Sequence, residues 1–81
     1  IILDVREQYE FDEGHIPGAI LIPYTEIENR AEKELPDKDA VILVYCRSGR
    51  RSMMAAGQML EKGYIPVNLD GGILAWKEAG R

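Results

Sequence analysis

Apolar positions in this chain fall into short runs, and the segments between those runs carry helix signals. Ile1-Ile2-Leu3 is apolar and ends at Asp4, as a short buried strand would. Arg6 to Glu13 is polar with Tyr9 and Phe11 set into it, and Gly14 closes it as glycine often closes a short helix. Ala19-Ile20-Leu21-Ile22, after the turn signal Pro17-Gly18, predicts a second strand. Thr25 and Glu28 have the spacing of a capping box, which predicts a helix running to about Leu35. Past the turn Pro36-Asp37-Lys38-Asp39, the run Val41 to Tyr45 is apolar throughout and rich in β-branched residues. Such a strand suits a sheet covered on both faces. Ser52 to Lys62 predicts a helix stopped by Gly63, with Ala55, Ala56 and Gly57 small enough to approach a sheet closely. Val67-Asn68-Leu69 predicts a last strand. Gly72 to Ala79 predicts a last helix, with Trp76 as its apolar anchor and Asp70 placed to cap it.

Strands alternating with helices imply parallel strands joined by right-handed crossovers, hence an α/β fold. With 81 residues the chain fits one domain spanning positions 1–81. Apolar residues make up 46% of it, enough for a packed core. The net charge of −4, with no basic tail, argues against general nucleic-acid binding. The longest apolar run, Val41 to Cys46, is too short to cross a bilayer. The chain opens on Ile1 inside a strand, so a processed, trimmed or partial chain is expected. The compartment is left open: cytoplasmic by default, with export to the periplasm or cell surface an alternative. A monomer is expected.

The chemistry concentrates at one place. A single cysteine, Cys46, leaves no internal disulfide, CxxC pair or cysteine zinc cluster to form. It stands at the end of the central strand, opening the loop Cys46-Arg47-Ser48-Gly49-Arg50-Arg51 that leads into a helix. Parallel α/β sheets bind ligands beyond the carboxyl ends of their strands. Backbone N–H groups in such a turn, with the positive end of the following helix, stabilise an anion, and the first anion available is the cysteine thiolate. Gly49 permits the curl, and Arg47, Arg50 and Arg51 form a cationic rim that would gather small anionic substrates. A lone strand-end cysteine is usually a small core residue, and loop arginines are usually a solvated face. Three like charges beside one thiol have no evident structural purpose, which favours the functional reading.

His15 reads as a turn or packing residue, and no second His or Cys accompanies it as a metal ligand. Asp4 and Arg6 are expected to pair near the sheet end, with Arg6 also able to face the pocket. No cofactor is expected.

Asp4-Val5-Arg6, Gly14-His15-Ile16-Pro17-Gly18-Ala19, the loop Cys46 to Arg51 and Gly71-Gly72-Ile73-Leu74-Ala75-Trp76 together resemble a rhodanese homology domain over nearly the whole chain. The resemblance implies a compact α/β domain of about four parallel strands, flanked by helices on both faces and lacking the strand and helix that commonly precede the Asp-Val-Arg segment. It implies a persulfide on Cys46, cradled by the backbone of Arg47, Ser48, Gly49, Arg50 and Arg51. Thiosulfate is the usual donor in the laboratory. With no second cysteine, the acceptor is external: cyanide, glutathione, thioredoxin or a partner protein.

Two other readings compete. A cysteine phosphatase or arsenate reductase also wraps a strand-end cysteine, but its loop runs one residue longer before the arginine. That position is Ser52 here. A non-catalytic module would use the same fold to dock a partner.

Overall fold

The computed structural model describes residues 1–80. Its strands are β1 (Ile2–Asp4), β2 (Ile20–Leu21), β3 (Val41–Tyr45) and β4 (Ile65–Asn68). Its helices are α1 (Gln8–Glu13), α2 (Ile27–Glu34), α3 (Arg50–Glu61) and α4 (Gly72–Glu78), with a 3-10 turn at Tyr24–Glu26. The strands form one four-stranded parallel sheet in the order β2-β1-β3-β4. The expected α/β class, strand number and parallel arrangement are all present.

Alternation along the central strands separates two cores. Leu3, Val5, Ile42, Val44 and Cys46 point to one side, where they pack with Ile27, Ala31, Ala55 and Met59 from α2 and α3. Tyr45 points to the other, against Ile16 and Ile73, with Ile2, Ala19, Leu69 and Trp76 packed around them. Helices therefore cover both faces, and the central strand is apolar at every position for that reason. Of Ala55, Ala56 and Gly57 in α3, only Ala55 is fully buried; Gly57 is exposed, with open space where a Cβ would stand. Trp76 packs on the second core but is only half-buried.

Several details differ from the sequence reading; β2, for example, is only Ile20–Leu21, shorter than the run Ala19 to Ile22. Strand β4 begins at Ile65 and contains Pro66; an edge strand tolerates proline, whose missing N–H can face away from the ladder. The Thr25–Glu28 box does not form, because the 3-10 turn occupies Tyr24–Glu26 and α2 starts after Glu26 with no side-chain cap. A box forms at α1 instead, where the Glu7 N–H donates to Glu10 Oε1 at 3.2 Å. Asp70 does not cap α4, whose N-cap is Gly71 with no side-chain cap bond. Helix α3 begins at Arg50, so Arg50 and Arg51 belong to its first turn and the loop proper ends at Gly49. Among the described residues, no helix is long and apolar enough to cross a membrane.

Candidate active site

Cys46 is the first residue past β3 and continues the face carrying Ile42 and Val44. Its side chain therefore lies beneath α3 and is only 1% exposed. The chain then curls at Gly49, whose φ of 107° lies in the left-handed region that favours glycine. The curl brings the Gly49 N–H onto Cys46 Sγ, donating at 3.0 Å. The Ser52 hydroxyl and the N–H groups of Ser52 and Ser48 add a lowering influence on the thiol's pKa. Burial is the largest single influence on this thiol and pushes its pKa up. The hydrogen bonds from Ser52, Gly49 and Ser48 together outweigh it, holding the thiol below its ordinary value. The positive end of α3 acts in the same direction. The arrangement favours the anionic form of the sulfur more than free solution does.

Ser52 is fully buried, and its hydroxyl lies 3.1 Å from the Gly49 carbonyl and in hydrogen-bond contact with the Asn68 side chain. Two further contacts brace the loop. From α4, the N–H groups of Ile73 and Leu74 donate to the carbonyls of Cys46 (2.9 Å) and Arg47 (3.2 Å). Gly72 makes this approach possible: its φ is +60°, and a Cβ there would lie 2.5 Å from the Arg47 carbonyl oxygen and collide with that of Cys46. From α1, Glu10 binds Arg51 through two parallel bonds of 2.7 and 2.9 Å. The hydrogen bond to Arg51 is the main influence holding the Glu10 carboxyl below its ordinary range.

The loop residues singled out in the sequence thus divide by place. Gly49 meets Cys46 at the sulfur, with Ser48 in the turn between them. Arg47 and Arg50 are exposed, and neither enters an ion pair among the described residues. Arg51 is turned to Glu10, so the freely offered charge narrows to Arg47 and Arg50. Two surface cavities flank the loop. One, of about 250 Å³, is lined by Arg47 with Arg6, Glu10 and Lys77. The other, of about 330 Å³, is lined by Ser48, Gly49 and Arg50 with Met53 and Asn68.

Asp4 and Arg6 do pair, in a buried fork at the sheet end with Arg6 Nη2 2.7 Å from Asp4 Oδ2. Arg6 also donates to the Gly14 carbonyl at 2.7 Å and lies over the Tyr45 ring, 5.6 Å from its centroid. Burial, the leading influence, pushes the Tyr45 phenol up to about 12, and its oxygen accepts the Ile16 N–H at 3.1 Å. His15 lies exposed, stacked on Phe11, with Nδ1 2.9 Å from the Phe11 carbonyl oxygen. It is a local turn contact.

The sequence reading missed Glu10, Asn68 and the role of Gly72. Only the doubled Gly71-Gly72 offered a signal, since paired glycines before a helix often mark a close backbone approach. Ser52 was noticed only as a position where an arginine was lacking.

A parallel sheet, a buried cysteine at the carboxyl end of its central strand and a tight turn donating to that sulfur together define the site. The chain belongs to the family described as the rhodanese-like domain, whose model matches residues 1–79. Among curated proteins it is 41% identical over 81 residues to a "Sulfurtransferase" of Allochromatium vinosum, covering 99% of this chain and 74% of that one. It is 38% identical over 71 residues to "Thiosulfate sulfurtransferase PspE" of Escherichia coli, covering 88% of this chain and 68% of that protein. The Bacillus subtilis protein YrkF is 46% identical over 76 residues, covering 93% of this chain, but the chain spans only 40% of its length. Among solved structures, a rhodanese-related protein from Thermoplasma volcanium superposes with a TM-score of 0.89 at 34% identity. That match covers 98% of this chain and 77% of the other.

Proposed function

We propose that the protein is a sulfurtransferase that carries a sulfane sulfur as a persulfide on Cys46, taking it from thiosulfate or a similar anionic donor. The observation that carries this reading is the Gly49 N–H donating to one buried sulfur at the carboxyl end of the sheet, in a turn that holds the thiol's pKa below its ordinary value. The family, and the sulfurtransferase names of relatives that match most of this chain, support it.

In the first step the Cys46 thiolate attacks the outer sulfur of thiosulfate. A sulfur–sulfur bond forms to Sγ, the bond to the sulfonate sulfur breaks, and sulfite leaves with the electron pair. In the second step cyanide or a thiolate attacks the terminal sulfur, taking it as thiocyanate or a new persulfide and restoring the Cys46 thiolate. A covalent intermediate between two half-reactions gives ping-pong kinetics. Arg47 and Arg50 attract the donor, while the loop N–H groups stabilise the charge on sulfur in both steps.

Incubation with thiosulfate should add the mass of one sulfur, removable by cyanide and absent in Cys46→Ser. A folded, reduced wild-type protein that gains no cyanide-removable sulfur would overturn the proposal.

A further inference from the structure

Helix α3 is apolar on two sides, and only one of them has a partner. Ser52, Ala55 and Met59 are buried on the side that meets the sheet. On the other side Met53, Met54 and Leu60 stand 66%, 55% and 66% exposed, around an exposed Gly57. Spacings of three and four positions place these four residues on one stripe of the helix surface. A surface helix ordinarily turns polar residues to water, so a contiguous apolar stripe marks a contact surface. Gly57 adds a second anomaly. Its backbone is ordinary helix, without the positive φ that calls for glycine, and a glycine there destabilises the helix relative to alanine. What it provides is a notch, because nothing lies within 4 Å of where its Cβ would stand.

The ends of the stripe carry opposite charges. Arg50 opens α3 and Glu61 closes it. Both are exposed, and neither enters an ion pair among the described residues. Four positions separate Arg50 from Met54, and four separate Gly57 from Glu61. Turned end for end, the stripe therefore complements itself. Where one protomer's Arg50 meets Glu61 of a second copy, its Met54 falls on the second copy's Gly57, and a two-fold axis repeats both contacts. A side chain fills each notch, a charge pair closes each end, and the antiparallel helix dipoles attract. A partner of another kind would require neither the matched spacings nor the opposite charges.

We propose that the exposed face of α3 is a self-association surface, through which two copies of this chain pair antiparallel about a two-fold axis. With 12 residues the helix is about 18 Å long, so the contact is smaller than a standard interface and the dimer is weak. The monomer expected from the sequence is its dilute form. Arg50 and Met53 also line the cavity beside Ser48 and Gly49, so pairing covers that side of the cysteine loop. Pairing needs no sulfur chemistry and stands apart from the proposed function.

Sedimentation equilibrium on the intact chain at low salt, from about 10 μM to about 1 mM, tests it. The wild type should move from monomer toward dimer across that range. Arg50→Glu and Glu61→Arg each set like charges against one another at both ends, and each should weaken association about tenfold. Mixed in equal amounts, the two variants should recover that loss by pairing with each other, since one then carries two acidic ends and the other two basic ends. Gly57→Gln fills the notch and should also weaken association about tenfold. Both charge reversals suit the helix dipole, so loss of α3 would not explain a weaker dimer, and circular dichroism checks that each variant is folded.

A wild type that stays monomeric at about 1 mM would overturn the proposal and leave the stripe to a partner of another kind. Association that neither charge reversal changes would overturn it too, by placing the contact on another face. So would reversals that weaken association singly yet fail to recover it when mixed, because antiparallel pairing requires that recovery. If either reversal does not fold, Gly57→Gln decides: undiminished association in that variant would exclude contact across the notch.

Discussion

Glu10 and Arg51 stand 41 positions apart in the chain and meet through two parallel hydrogen bonds. The pair ties α1, on one face of the sheet, to the first turn of α3 that follows the cysteine loop. Both side chains are largely buried, at 11% and 26% exposed, so solvent screens them less than a typical surface pair. Glu10→Gln should destabilise the fold by about 1–2 kcal/mol. It should also loosen the turn that carries the N–H donors. The pH dependence has a definite sign. The Glu10 carboxyl is depressed in the folded protein, chiefly by its hydrogen bond to Arg51, so its contribution is complete above the ordinary carboxylate value. It is lost as pH falls through the lowered value. Chemical denaturation from neutral to acidic pH should show this component in the wild type and its absence in Glu10→Gln.

Two glycines make opposite forecasts for the same substitution. Gly72→Ala would place a methyl group 2.5 Å from the Arg47 carbonyl oxygen in a left-handed backbone, so the cysteine loop or α4 must move. A loss of about 2–4 kcal/mol is expected, together with slower alkylation of Cys46 near neutral pH. Gly57 lies within α3 with nothing within 4 Å of its added Cβ. Gly57→Ala should stabilise the helix by about 0.5–1 kcal/mol. Thermal melting of both variants tests the pair, and a stabilised Gly72→Ala would refute the account of the α4 contact.

The central strand and its cysteine were legible because their signal is local. Five consecutive apolar residues mark a strand covered on both faces, and alternation then assigns Cys46 to the side of Ile42 and Val44. The four-stranded parallel sheet followed from the same alternation of elements. Contacts between distant segments were not legible. Nothing near Arg51 announces Glu10, and nothing near Ser52 announces Asn68, since each partner arrives on another element. Arg50 and Arg51 were read as loop because helix α3 starts without a side-chain cap, on a left-handed Gly49. A glycine at that place looks like loop in a sequence and acts as the helix start in three dimensions.

Arg47 and Arg50 are exposed and flank the loop on separate cavities, so their charge is available to an approaching anion. Neutralising either should weaken use of the thiosulfate dianion more than use of an uncharged sulfur donor. Rising ionic strength should slow the wild type with thiosulfate, since exposed charges are screened within about 10 Å at 0.1 M salt. Steady-state kinetics with both donors decide it. Equal losses on both would mean that the arginines shape the loop and do not attract the donor.

The thiol itself should leave a mark on stability. Burial raises the Cys46 pKa, but the Ser52, Gly49 and Ser48 hydrogen bonds more than offset this and depress it. A depressed acid contributes stability that is complete above the unfolded thiol value and is lost as pH falls through the folded value. Wild-type stability should therefore climb with pH across that interval. Cys46→Ser, whose hydroxyl does not ionise there, should show no such climb in parallel denaturation curves.

The last prediction concerns oxyanion chemistry, for which the loop has suitable charge but unsuitable size. Phosphoryl groups need a ring of N–H donors around three oxygens, closed by a guanidinium that binds bidentately. Here the position where a phosphatase loop would carry that arginine holds Ser52, which is buried and bonded to the Gly49 carbonyl. The nearest candidate, Arg51, is already held bidentately by Glu10 and is not free to close a ring. Donors misplaced by about an ångström lose on the order of a hundredfold in rate, so size outweighs charge. The wild type should hydrolyse aryl phosphates far more slowly than it transfers sulfur. Inserting one glycine after Gly49 and replacing Glu10 with Gln would widen the ring and release Arg51 together. A gain of phosphatase activity in that double variant, with neither change sufficient alone, would support the size argument. Wild-type phosphatase turnover matching its sulfur transfer would refute it, because an occupied arginine and a short ring could not then be limiting.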